Sequence, residues 1–115
     1  MIFAILEDRC TSCGTCAAVC PSNVIASDAR GGPRIARLDD CQTCFLCELY
    51  CAADAIYVDP DCEAPAAGVD LADLVARGVV GKFRRDSGWD EWADDPRYEN
   101  AHWRMDGIFA RGRAA

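Results

Sequence analysis

Apolar residues in the first sixty positions come in short bursts between polar and cysteine-rich stretches. Ile2–Leu6 reads as a strand. Asn23-Val24-Ile25-Ala26 and Ala55-Ile56-Tyr57-Val58 recur about 31 positions apart, each just after a group of cysteines, so this part of the chain is an internal repeat. Val24–Ser27 and Pro33–Leu38 flank Gly31-Gly32-Pro33, a turn signal, and predict a hairpin. Ile2–Leu6 is expected to pair with Ala55–Val58 and so bring the ends of the repeat together. Short helices are expected at Cys16–Cys20 and Cys47–Cys51. Pro21 ends the first, because proline cannot continue the helical hydrogen-bond ladder.

The pattern changes after Asp61. Glu63–Gly68 has the composition of a linker. Asp70–Arg77 predicts a short helix, with Asp70 as its cap, Leu71, Leu74 and Val75 on one face, and Gly78 as its stop. Val79–Arg85 is expected to be a strand, and little regular structure is expected after Asp86. Residues 86–106 are polar and acidic, yet they hold Trp89, Trp92 and Trp103, all the tryptophans of the chain, together with Tyr98. Disordered tails are poor in aromatics, whereas binding hot spots are rich in them. Trp89, Trp92, Tyr98 and Trp103 are therefore expected to form a partner-binding arm; the alternative is that they fold back onto the chain's own core. The division expected is 1–61 for a cysteine-bearing domain and 62–115 for a C-terminal extension.

Net charge is −7 over 115 residues. Residues 1–61 carry nine acids and four bases, −5, and residues 62–115 carry ten acids and eight bases, −2. Such a balance disfavours nucleic-acid binding, which needs clustered Lys and Arg, and suits docking to a basic protein surface. Lys82-Phe83-Arg84-Arg85 is the one basic cluster, read either as a solvated strand edge or as a match for a partner's acids. The apolar start is too short for a signal peptide and meets Glu7 and Asp8 at once, and no stretch approaches the length of a membrane span. The cytoplasm is the expected location.

Eight of the nine cysteines form two copies of C-x2-C-x2-C-x3-C: Cys10, Cys13, Cys16 and Cys20, then Cys41, Cys44, Cys47 and Cys51. Thiolate is a soft anionic ligand suited to iron in a sulfide cluster. The x2 spacings let one tight loop offer three thiolates to one cubane, and Gly14 permits the backbone angles of such a wrap. The helix after the third cysteine carries the fourth toward the other cluster. This predicts Cys10, Cys13, Cys16 and Cys51 around one [4Fe–4S] cluster, and Cys41, Cys44, Cys47 and Cys20 around a second. Structural zinc also takes four thiolates, but its sites pair two CxxC units across a longer gap. A secreted disulfide scaffold fits neither the odd count nor the regular spacing. A segment this small buries little apolar surface, so folding is expected to depend on the clusters.

Through Cys10-Thr11-Ser12-Cys13-Gly14-Thr15-Cys16-Ala17-Ala18-Val19-Cys20-Pro21 and Cys41-Gln42-Thr43-Cys44-Phe45-Leu46-Cys47-Glu48-Leu49-Tyr50-Cys51, residues 1–61 resemble a bacterial-type 2[4Fe–4S] ferredoxin. The resemblance implies an α+β, ferredoxin-like (βαβ)2 domain with pseudo-two-fold symmetry, and low-potential electron transfer. The family commonly has proline after both fourth cysteines; here Cys51 is followed by Ala52, which bears on the backbone and exposure near Cys51. The whole layout is similar, by architecture alone, to the iron–sulfur (beta) subunit of adenylylsulfate-reductase-type flavoproteins. That likeness implies an arm wrapping a FAD-binding subunit.

Cys62 stands outside both runs and is expected to be a plain free thiol. His102, the one histidine, is expected to meet a partner or solvent. No P-loop, GxGxxG, HExxH or Gly-x-Ser-x-Gly is present, so no active site is expected in this chain. The leading expectation is a non-catalytic electron-transfer subunit of a hetero-oligomeric oxidoreductase, working between a flavin-bearing partner and an external carrier. A free-standing ferredoxin is the alternative, and a zinc-binding interaction module is a third reading.

Overall fold

The structure is a computed structural model, and it describes residues 1–63, 69–88 and 105–114, without the side chains of 105–109. The expectations placed on residues 64–68 and on Trp89, Trp92, Tyr98, His102 and Trp103 lie outside the described residues.

The elements run β1 (Ile2–Ile5), α1 (Thr15–Val19), β2 (Ile25–Ser27), β3 (Pro33–Ile35), a 3-10 turn at Leu38–Asp40, α2 (Leu46–Leu49), β4 (Ile56–Val58), α3 (Leu71–Ala76), α4 (Lys82–Asp86) and α5 (Met105–Ala114). The result is a small α+β unit. β1 pairs antiparallel with β4, Ile2 opposite Val58 and Ile5 opposite Ile56, with a register shift between Ile2 and Ala4. β2 and β3 form the expected hairpin, Ile25 opposite Ile35. At its turn the Asp28 carboxylate accepts the N–H groups of Arg30 and Gly32, both at 2.8 Å.

The β1–β4 ribbon has two covered faces, because successive strand side chains point to opposite sides. On one face Ile2, Ile56 and Val58 join Val24, Ile25 and Cys16 in a buried cluster that Cys20, Cys41, Cys47 and Cys51 rim. On the other face Phe3 and Tyr57 meet edge-to-face, with ring centroids 6.2 Å apart and planes at 81°. There they pack against a second cluster of Leu6, Ala55, Leu74 and Val80. Leu74 and Val80 come from beyond residue 69, so this part of the extension covers the back of the ribbon. Fully burying one such side chain stabilises the fold by about 1.5–3 kcal/mol.

Helix α3 begins as expected: the Asp70 carboxylate accepts the Ala72 N–H at 3.2 Å, and Gly78 ends the helix with φ 70°. Leu74 is buried and Leu71 packs at the rim, but Val75 is 37% exposed. Consecutive helical residues are about 100° apart, which turns Val75 away from the face that Leu74 buries. The strand expected over Val79–Arg85 is instead a turn followed by α4. Gly81 takes φ 76° at its start, Lys82 bonds Asp86 at 2.7 Å along it, and a carboxylate from far back in the chain, Glu48, accepts the Phe83 N–H. The chain after Asp86 also holds a regular element, α5, where little regular structure was expected.

Candidate functional site

The two cysteine runs repeat in backbone conformation as well as in sequence. Left-handed residues stand 31 positions apart in three pairs: Ser12 and Thr43 (φ 56° and 52°), Gly14 and Phe45 (78° and 63°), Asn23 and Asp54 (57° and 52°). The first two pairs turn each loop ahead of its short helix, and the third turns the chain just after it. The fourth cysteines are also held alike. Val24 N–H donates to Cys20 Sγ, and Ala55 N–H to Cys51 Sγ, both at 3.3 Å. Ala52 in place of proline therefore leaves the backbone around Cys51 matching that around Cys20. Ser12 N–H and Ile2 N–H donate in turn to Cys10 Sγ and Cys41 Sγ, each at 3.4 Å.

Two cavities lie among these sulfurs. Cys10, Cys13, Cys16 and Cys51 line one of about 230 Å³, with Ile5 and Ile56 in its walls. Cys20, Cys41, Cys44 and Cys47 line a second and much tighter one, of about 20 Å³, walled by Ile2, Val24, Phe45 and Val58. The structure thus gathers three cysteines of one run with the fourth of the other, twice. Among the described residues no three His, Cys, Asp or Glu side chains converge on a point that would hold a single metal ion. The space of about 230 Å³ ringed by Cys10, Cys13, Cys16 and Cys51 suits a polynuclear group better than one zinc, whose four sulfurs must all come within about 2.3 Å of the ion.

The protonation of the free thiols follows their surroundings. Burial pushes the Cys47 thiol up to about 12 and raises that of Cys16. The Thr15 hydroxyl, 3.4 Å from Cys13 Sγ, holds exposed Cys13 below its ordinary value. Buried thiols of this kind surrender their protons to a metal rather than to water. Thr43 Oγ1, at the wall of the second cavity, is buried with no hydrogen-bond partner among the described residues. A hydroxyl with an uncommitted proton beside four thiols fits a bound group that carries acceptor sulfurs. Cys62 is exposed and stands apart from both cavities.

Several residues of this region escaped sequence reasoning. Glu48, inside the second run, is only 2% exposed and accepts Val58 N–H at 3.0 Å and Phe83 N–H at 3.1 Å. Desolvation raises its pKa, opposed by those two backbone donors. Two members of the basic cluster serve the fold: Arg84 donates to the Leu49 carbonyl at 2.6 Å, and Arg85 to the Val80 and Gly78 carbonyls. Arg85 also lies 3.6 Å from the Asp54 carboxylate. The cluster is thus a helix that clamps the C-terminal end of α2, not a strand edge. An acid inside a cysteine run was the available signal for Glu48; its partners are too distant in sequence to read.

Residues 3–52 match the family model described as a 4Fe-4S dicluster domain. Two curated relatives are the DNA-directed RNA polymerase subunit Rpo3 of Methanosarcina acetivorans, 43% identical over 57 residues, and that of Methanosarcina mazei, 44% identical over 57 residues. In each case the similarity covers 48% of this chain and 21% of the relative, so the chain spans about a fifth of their length. No solved structure matches. The matched residues carry a 4Fe–4S ferredoxin-type domain.

Proposed function

We propose that this chain is the electron-transfer iron–sulfur subunit of a larger oxidoreductase and holds two [4Fe–4S] clusters in a pseudo-two-fold (βαβ)2 domain. Cys10, Cys13, Cys16 and Cys51 bind one cluster, and Cys41, Cys44, Cys47 and Cys20 bind the other. The observation that carries this reading is the sorting of the eight sulfurs into two cavities by these two sets. Bound clusters would take up and release one electron at a time. The chain's own residues hold the sulfurs, donate N–H groups to four of them, and exclude water with Ile2, Val24, Ile56 and Val58. Cys13 and Cys44 are exposed and mark where each cluster comes nearest the surface.

Further, we assign the partners as a FAD-bearing catalytic subunit, gripped by Trp89, Trp92, Tyr98 and Trp103, and an external one-electron carrier. The −7 charge supports docking to basic surfaces. Purified protein should hold about eight iron atoms and be brown, each [4Fe–4S] cluster contributing four. C10A, C51A and the C10A/C51A double variant should each retain about four iron atoms, whereas C10A/C20A should retain almost none. Equal iron in the two double variants would overturn the swapped assignment. Co-purification with a flavoprotein, lost on replacing Trp89 and Trp92 with alanine, tests the partner; a small cluster-bearing species that leaves the lysate alone would return the free-standing ferredoxin.

A second reading follows from the Rpo3 similarity, since those relatives are polymerase subunits. Here the clusters would only brace a larger assembly. Reduction by dithionite and reoxidation without loss of iron favours the carrier; clusters inert to reduction favour the brace.

A further inference from the structure

Glu48 is the one buried carboxylate that sits within a ligand run, and nothing in cluster binding uses it. Its two oxygens each accept one backbone N–H, from Val58 in β4 and from Phe83 in α4. Both donors need it. Val58 is at the end of β4, and Phe83 is in the first turn of α4, where no intrahelical acceptor exists. Around this carboxylate two more contacts fix α4 to the second cysteine run, and a third fixes the turn before it to β4. The Phe83 ring lies 4.7 Å from that of Phe45, a wall of the second cavity. Arg84 caps the Leu49 carbonyl, and Gly81 N–H donates to the Ile56 carbonyl at 3.0 Å.

We propose that Glu48 is a positioning residue, a latch that holds helix α4 over the Phe45 wall of the second cysteine site. It makes residues 69–88 part of the electron-transfer unit and gives the two sites unequal cover. Phe83 remains 41% exposed, so the latch, not burial of that ring, keeps α4 in place. The inference rests on the two-cluster reading above.

The test uses the full chain under anaerobic conditions. E48Q keeps the side-chain length but sets an NH2 against one of the two N–H donors. In E48Q about half the iron should pass to a ferrous-iron chelator at least about tenfold faster than in the parent, the size expected for losing a buried hydrogen bond to a charged acceptor. The other half should keep the parental rate. One of the two reduction potentials should rise, because a buried negative charge is gone and its surroundings open, while the other stays. F83A should speed the same half by a smaller factor. Equal acceleration of both halves, or parental behaviour of both rates and both potentials, overturns the latch. If E48Q takes up no iron, F83A decides, and parental release there overturns it. A parent with only about four iron atoms would instead overturn the two-cluster reading. Trypsin cleavage after Lys82, Arg84 and Arg85 would then judge the latch, faster in E48Q if it holds and unchanged if it does not.

Discussion

Gly81 lies against Asp54 so closely that a Cβ on residue 81 would come 2.6 Å from the Asp54 Cβ. The approach joins the turn before α4 to the end of the second cysteine run, and it leaves no room for any other residue. Gly81 also has φ 76°, a left-handed conformation. G81A should therefore cost about 2–4 kcal/mol, from left-handed strain plus overpacking. Gly14 has φ 78° but nothing within 4 Å of its would-be Cβ, so G14A should cost only about 1–2 kcal/mol. Thermal unfolding of the two cluster-loaded variants checks the order; a G81A protein as stable as G14A would contradict the close contact.

Removing the extension should not be harmless. Truncation after Asp61 strips Leu74 and Val80 from Leu6, Ala55, Phe3 and Tyr57, and frees Glu48 from Phe83. Clusters in that form should be lost on heating well before those of the parent. Truncation after Gly88 keeps every described contact of α3 and α4 and should hold its iron as the parent does. Visible absorbance followed against temperature separates the two. L74A should fall between them, at a cost of about 2–5 kcal/mol.

The unpartnered Thr43 hydroxyl gives a prediction on potential. If it donates to a sulfur of the group in the second cavity, T43V removes a hydrogen bond that stabilises added negative charge. One of the two reduction potentials should fall, with the other unmoved. A redox titration with both potentials at parental values would show that the hydroxyl faces no such sulfur.

Alkaline stability should respond to Tyr57. Burial is the first cause raising its pKa above 10.0, followed by the charges of Asp59 and Glu48. The folded state then resists losing this proton more than the unfolded state does. Its contribution is fully present below the unfolded value near 10 and is lost as pH rises through the folded value. Y57F should show a shallower loss of stability above about pH 10, as measured by denaturant unfolding at fixed pH, because it removes this titration. Equal slopes for the two proteins would exclude Tyr57 as the cause.

Sequence alone determined the two cysteine runs, the 31-residue repeat, the pairing of β1 with β4, the β2–β3 hairpin and the Asp70 cap. Most of these are written in local spacing, in cysteine gaps, turn residues and a capping side chain, and the β1–β4 pairing follows from the apolar bursts at the two ends of the repeat. Tertiary structure alone decided what Val79–Arg85 becomes. Its residues tolerate a strand, but Gly81 can approach Asp54, and the Glu48 carboxylate satisfies the first turn of a helix. Tertiary structure also decided that the β1–β4 ribbon is covered on both faces, and that Arg84 and Arg85 hold backbone carbonyls from a helix and not from a strand edge. Most of these facts depend on groups far apart in the chain meeting in space, as Glu48 meets Phe83, where one buried charge must find donors and one apolar face must find a cover.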